Sequence, residues 1–60
     1  MLAKRIRASL AYIGRSQKWL AGQLGLHPNT IRVRMAHEET WQLGELRAMK
    51  KIFRWETLEG

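Results

Sequence analysis

Few side chains in this 60-residue sequence have the types and spacing that catalysis or metal binding requires. It contains no cysteine, and its two histidines, His27 and His37, are ten residues apart. Two imidazoles without a thiolate do not match a zinc site. Glu38 and Glu39 are adjacent in sequence, so their carboxylates diverge and do not form the pair that general acid–base chemistry uses. We therefore expect no enzyme activity, no metal ion, no cofactor and no small-molecule substrate.

The segment HPNTIRVRM offers a different chemistry, that of hydrogen bonding to the edges of bases. The amide of Asn29 can form two hydrogen bonds with adenine, and the guanidinium of Arg32 can do the same with guanine. Val33 can contact the methyl group of thymine. Each residue has an alternative role: Asn29 as a helix cap, Arg32 as a phosphate ligand or a solvated charge, and Val33 as a contact with a partner protein.

The positive charge is concentrated in the first part of the chain. Residues 1–37 hold seven Lys or Arg and no acidic residue, whereas residues 38–60 hold four bases and five glutamates, for a net charge of +6. This asymmetry favours a polyanionic partner, either nucleic acid or an acidic membrane surface. No apolar run approaches the ~20 residues of a membrane span, and the start does not resemble a secretory signal. We expect a soluble, cytoplasmic protein that does not enter a membrane.

Apolar residues recur at helical spacing along most of the chain, and no useful segment alternates with a period of two. The pattern predicts an all-α fold with four helices, or five if another turn forms at the end. The length predicts a single domain over residues 1–60. The predicted helices lie near residues 2–13, 17–24, 28–36 and 43–54, with HEET as a loop before the last.

The boundaries of the second and third helices predict a tight turn between them. Ser16 is a good N-cap, Gly25 can end the second helix in the left-handed conformation, and Pro28 suits the first turn of the third. Two helices joined in this way form a helix-turn-helix, here over about residues 17–36. On the third helix, Ile31 and Met35 are predicted to face the core, which turns Asn29 and Val33 outward, with Arg32 and Thr30 at the sides.

The segment RIRASLAYIGRSQKWLAGQLGLHPNTI resembles the start of the Cro/repressor (Xre-type) helix-turn-helix family, and WQLGELRAMKKIF is similar to its following helix. Arg15 and Arg34 depart from the pattern, because the family usually has apolar residues there. The Lys-Trp-Leu-Ala version is similar to small phage-encoded members. The likeness covers roughly residues 5–53, and its matching positions are Arg5, Ile6, Arg7, Leu10, Gly14, Ser16, Gln17, Leu20, Ala21, Leu24, Gly25, Thr30, Ile31, Leu43, Leu46 and Met49.

The resemblance implies a compact lambda-repressor-like domain whose third helix enters the major groove of DNA while the second helix crosses the backbone. It also implies that Gln17 reaches a phosphate and braces the third helix. The candidate base-reading residues are His27, Pro28, Asn29, Thr30, Arg32 and Val33. The candidate phosphate-binding residues are Arg5, Arg7, Arg15, Gln17, Lys18 and Arg34.

The three tryptophans have different expected roles. Trp41 is expected to pack onto the core just before the fourth helix, and Trp19 to flank the core. Trp55 and Leu58 follow the last predicted helix, where a small domain has little left to bury them against, so a dimer interface is expected there. The alternative is that Trp55 closes the end of the core.

Together these features predict a sequence-specific double-stranded-DNA-binding transcriptional regulator that represses by occupying a palindromic operator as a homodimer. Two alternatives remain open. One is an antitoxin-like or adaptor module that uses the helix-turn-helix as a scaffold for binding another protein. The other is a basic membrane-surface peptide, which would not unfold cooperatively in buffer without lipid.

Overall fold

A computed structural model describes residues 2–55 of the chain, and these residues form four α-helices with no strand among them. The all-α prediction is confirmed. The helices are α1 (Leu2–Ile13), α2 (Gln17–Leu24), α3 (Pro28–Ala36) and α4 (Leu43–Phe53). The predicted HEET loop contains a short 3-10 turn at Glu38–Thr40. Over residues 2–55, no helix combines the length and the apolar character needed to cross a membrane.

Every α-helix contributes one large, fully buried side chain to the core. These are Ile6 from α1, Leu20 from α2, Ile31 from α3 and Met49 from α4. Each of these side chains comes from a different helix, so their burial requires all four helices to converge. The core of a chain this short is therefore a single cluster, and each helix depends on the other three for its apolar face.

The predicted core positions of Trp41 and Trp19 are confirmed. Trp41 is buried immediately before α4, and Trp19 is partly buried against the same cluster. The indole N–H of Trp41 is buried without a hydrogen-bond partner among the described residues. Ala21 is also buried, which allows α2 to approach its neighbours closely.

The prediction that Trp55 lies in a dimer interface is corrected by its position. Its side chain is 7% exposed and belongs to the core. The indole Nε1–H donates a hydrogen bond to Ser9 Oγ at 3.0 Å, and the guanidinium of Arg5 lies 4.3 Å from the ring centroid. Phe53 packs on the ring with centroids 5.1 Å apart. Trp55 therefore joins the end of α4 to α1; Leu58 lies outside the described residues.

A second long-range contact ties the start of α1 to the segment after α3. The backbone N–H of Ala3 donates to the Glu38 carboxylate at 2.9 Å. The first N–H groups of a helix have no partner within the helix, and a carboxylate there also interacts favourably with the helix dipole. Glu38 thus supplies from the 3-10 turn the acidic cap that α1 lacks in its own first turn.

Candidate nucleic-acid interface

The start of α2 is fixed by the residue predicted as its cap. Ser16 has extended backbone angles, and its Oγ accepts the backbone N–H of Trp19 at 3.1 Å. Gln17 and Lys18 follow in the first turn, where backbone N–H groups lack helical acceptors. Gln17 is partly buried and Lys18 is exposed. This arrangement presents N–H groups, an amide and an ammonium group at one end of α2, a combination suited to an anion.

The turn between α2 and α3 is as predicted and consists of Gly25, Leu26 and His27. Gly25 has φ +69°, the left-handed conformation. Its N–H donates to Gly22 O at 3.2 Å, and the N–H of Leu26 donates to Ala21 O at 2.8 Å. This pair of bonds is the Schellman ending of a helix, in which the residue after the glycine turns back to the core. Leu26 does so and packs against the core cluster.

The start of α3 is capped by His27, a role that the sequence did not predict. His27 Nδ1 accepts the backbone N–H of Asn29 at 3.0 Å, and Pro28 occupies the first helical position. Because Nδ1 is the acceptor, the neutral imidazole carries its proton on Nε2. The capping role proposed as the alternative for Asn29 is thus taken by His27, and the amide of Asn29 is exposed.

The two faces of α3 separate as the helical wheel predicted. Ile31 and Met35 are buried, whereas Asn29, Arg32 and Val33 are exposed. Val33 is 50% exposed despite being an apolar side chain. The outer face therefore presents an amide, a guanidinium and a branched apolar group side by side. Thr30 and Pro28 lie at the edges of this face and are partly buried.

Arg34 lies on the other side of α3 and is held by α4. Its Nε donates to Glu45 Oε1 at 2.9 Å and its Nη2 to Glu45 Oε2 at 3.1 Å. The side chains are only 16% and 11% exposed. A two-point pair between a guanidinium and a carboxylate fixes direction as well as distance. Arg34, predicted as a phosphate ligand, is therefore engaged within the protein and fixes the position of α3 relative to α4.

Glu45 has a second partner that strengthens this brace. Its Oε1 also accepts the backbone N–H of Gln42, at 3.0 Å, at the start of α4. Burial of the carboxyl tends to raise the pKa of Glu45, but the hydrogen bonds from Arg34 and Gln42 and the positive charge of Arg34 outweigh it. The pKa of Glu45 is therefore lowered, which keeps the group ionised at neutral pH.

The other predicted phosphate ligands fall into three places. Arg15 is exposed just before α2, and its guanidinium lies 5.2 Å from the Trp19 ring centroid. Arg15 therefore lies beside Gln17 and Lys18. The Cro/repressor family usually has an apolar residue at this position, whereas here the guanidinium of an arginine lies over an indole. Arg7 lines a groove with the end of α3. Arg5 faces α4 and Trp55 instead, so the structure does not bring all six together.

The surface that combines α2, the turn and the outer face of α3 carries no acidic residue. Its bases are Arg15, Lys18 and Arg32, and every glutamate of the chain follows residue 37. No protein-family model, curated protein or solved structure matches this chain. The resemblance to the Cro/repressor family stays a prediction. Residues 2–55 contain no group of three His, Cys, Asp or Glu side chains able to hold a metal ion.

Sequence reasoning missed three residues that shape this surface: His27 as a cap, and Arg34 with Glu45 as a brace. A signal existed for Glu45, because a glutamate at the third position of a predicted helix is typical of a capping box. Arg34 gave a weaker signal, since it occupies a position of α3 where the Cro/repressor family usually has an apolar residue. Pairing the two required the relative position of α3 and α4, which the sequence alone does not provide.

Proposed function

We propose that this protein is a sequence-specific double-stranded-DNA-binding regulator of the Cro/repressor type, which acts in the cytoplasm by occupying an operator. The observation that carries the proposal is the outer face of α3, where Asn29, Arg32 and Val33 are exposed together on a helix whose opposite face is buried. An α-helix of this kind fits the major groove, and these three side-chain types pair with adenine, guanine and thymine respectively.

The start of α2 supports the proposal by supplying contacts that do not depend on base sequence. In this arrangement Gln17, Lys18 and Arg15 bind phosphates beside the groove, while His27 offers its Nε2–H from the first turn of α3. The cation of Arg15 is preorganised by stacking on Trp19, so less side-chain freedom is lost on binding. Arg34 is assigned a bracing role through Glu45 in place of phosphate binding.

Binding by one copy is expected to be modest, because a single small module buries only roughly 600–1,000 Å² of its surface on DNA. The proposal therefore includes two copies on a palindromic operator, with half-sites about 34 Å apart. Trp55 is buried within one copy, so it does not provide the contact between copies.

Selection from random duplex DNA, followed by affinity measurements at two salt concentrations, tests this function. We expect enrichment of a symmetric site. Asn29→Ala and Arg32→Ala should each weaken binding to that site by about 1–3 kcal/mol and relax sequence preference at one position. Lys18→Ala should instead weaken binding to all sequences and reduce the slope of log affinity against log salt by about 0.9.

Arg47→Ala is the matched control for Arg32→Ala, because it removes the same charge from an exposed position on α4. It should leave sequence preference unchanged. No enriched site, or full affinity after both Asn29→Ala and Arg32→Ala, would contradict DNA recognition by α3. That result would favour the adaptor alternative, in which the helix-turn-helix is only a scaffold.

A further inference from the structure

Most of the large apolar side chains that the structure leaves exposed lie along the groove between α1 and α4. Of the four among residues 2–55, Val33 belongs to α3, and the other three are Tyr12, Ile13 and Leu43. Tyr12 is 93% exposed and Leu43 is 62% exposed. Trp55 forms the middle of the groove, and Tyr12 and Leu43 lie toward opposite ends of it. This surface, the α1–α4 groove, is separate from the outer face of α3.

The α1–α4 groove consists of two open stretches that share Arg5 and Trp55 and have volumes of about 320 and 280 Å³. The stretch toward the end of α1 contains Tyr12 and Ile13, and the stretch toward the start of α4 contains Leu43. Apolar side chains exposed in both stretches can contact one face of a helical segment, in which apolar side chains recur every three or four residues.

Among residues 2–55, every charged residue that lines the groove is basic. Arg54 lines one stretch, Arg47 and Lys50 line the other, and Arg5 lines both. The glutamates of the described residues lie elsewhere: Glu38 at the start of α1 and Glu45 against Arg34, with Glu39 beside His37. An apolar groove with a basic rim is complementary to an apolar segment flanked by acidic residues.

We propose that the α1–α4 groove binds an acidic amphipathic segment of a partner protein. In this complex the apolar face of the segment contacts the exposed side chains of Tyr12, Ile13 and Leu43, and its carboxylates face the arginines of the rim. A second copy of the chain fits less well, because a symmetric pairing would place the same basic rim on both sides. DNA fits less well too, because its phosphates would pair with the basic rim but would leave the exposed apolar groups of Ile13 and Leu43 without an apolar partner.

The proposal is independent of DNA binding, and the chain offers a matched control for it. Tyr12→Ser and Leu43→Ser each remove an exposed apolar group from the groove, and Val33→Ser removes one from α3. All three positions are exposed, so the variants should fold, which circular dichroism can verify. The groove variants should bind the peptide more weakly and keep DNA binding, whereas Val33→Ser should weaken DNA binding and keep peptide binding.

The test is a nuclear magnetic resonance titration with a synthetic helical peptide that has leucine on one face and glutamate on the other. Two further peptides replace its glutamates by lysine or its leucines by serine. We expect saturable binding of the first peptide only. The indole N–H resonance of Trp55, which is hydrogen-bonded to Ser9, should shift, and that of Trp19 on α2 should not. Tyr12→Ser and Leu43→Ser should each weaken binding about tenfold.

Three results would overturn the proposal. One is no saturable binding of the leucine–glutamate peptide, or equal binding of the serine peptide, which would indicate charge attraction alone. Another is binding to vesicles of anionic phospholipid that requires Tyr12 and Leu43, which would indicate a membrane surface. The last is self-association, measured by sedimentation equilibrium, that Tyr12→Ser or Leu43→Ser abolishes, since the occupant would then be a second copy.

Discussion

Glu45 is the residue that most closely connects the proposed DNA-binding helix to the rest of the molecule. Its carboxylate accepts two hydrogen bonds from Arg34 on α3 and one from the backbone at the start of α4. A carboxylate that accepts three hydrogen bonds in a partly buried site orients its partners. Removing it would leave a guanidinium and a backbone N–H without acceptors. The direction of α3 therefore depends on a side chain that contacts no DNA in the proposed complex.

Glu45→Gln should change how the free energy of unfolding depends on pH. The folded pKa of Glu45 is lowered, so its contribution to stability is fully present above its ordinary pKa of 4.5 and is lost as the pH falls through the folded value. Urea denaturation at several pH values should show a constant stability difference from the parent well above the ordinary pKa, and a shrinking difference as the pH falls below it.

Glu39→Gln is the matched control, because it removes the same charge from a side chain that is 78% exposed. It should alter the pH dependence of stability much less than Glu45→Gln. A stability difference for Glu45→Gln that stays constant down to acidic pH would contradict the brace. The sequence indicated an acidic residue early in α4, but it did not reveal the partner, which lies eleven residues away on another helix.

At the scale of the elements, the ends of α1, α2 and α4 are set by single left-handed residues. Gly14 and Gly25 adopt positive φ, as does Arg54 after α4. The two glycine endings were predictable because only the local chain decides them, and the helix bounds derived from them agree with the structure. The end of α4 was placed one residue late, because an arginine does not signal a left-handed ending.

Gly25→Ala should destabilise the protein by about 1 kcal/mol, because a side chain at φ +69° is strained although no atom blocks a Cβ there. Gly22→Ala, at an equally open position inside α2, should instead stabilise it by about 0.5–1 kcal/mol. Chemical denaturation of the two variants tests the pair. A gain at both positions would mean that the left-handed turn is not maintained in solution.

Arg54→Gly should stabilise the protein by about 1 kcal/mol, because glycine adopts φ near +57° without the penalty that arginine has. Arg54→Ala is the control, since it shortens the same exposed side chain but keeps the Cβ that causes the strain. The midpoint of thermal unfolding should therefore rise for the glycine variant and not for the alanine variant. Equal midpoints for the two would contradict a left-handed residue 54.

At the scale of the whole molecule, Trp55 completes the core by joining the last helix to the first. Its hydrogen-bond partner, Ser9, is 46 residues away in sequence. The sequence suggested that the residues after the last helix lacked a surface to pack against, and it pointed to a dimer. Local periodicity identifies which side chains of a helix are apolar, but it does not show that α1 and α4 lie close enough for one indole to bridge them.

Trp55→Ala should cost about 3–5 kcal/mol, the usual loss for truncating a buried aromatic side chain. This is a large fraction of the stability of so small a domain, so the variant should be largely unfolded at moderate temperature. Tyr12→Ala, an aromatic truncation at an exposed position of the same groove, should change stability by less than about 0.5 kcal/mol. Near-ultraviolet and far-ultraviolet circular dichroism on heating distinguishes the two.

The bridge between Arg5, Ser9 and Trp55 also bears on how the chain folds as it is made. The ribosome releases α1 first, yet the indole that covers it comes 46 residues after Ser9. A nascent chain that stops before residue 55 contains α1, α2 and α3 but lacks the Trp55 indole, which packs α1 against the end of α4. We expect such chains to be protease-sensitive and the native state to form only once the tryptophan has been released.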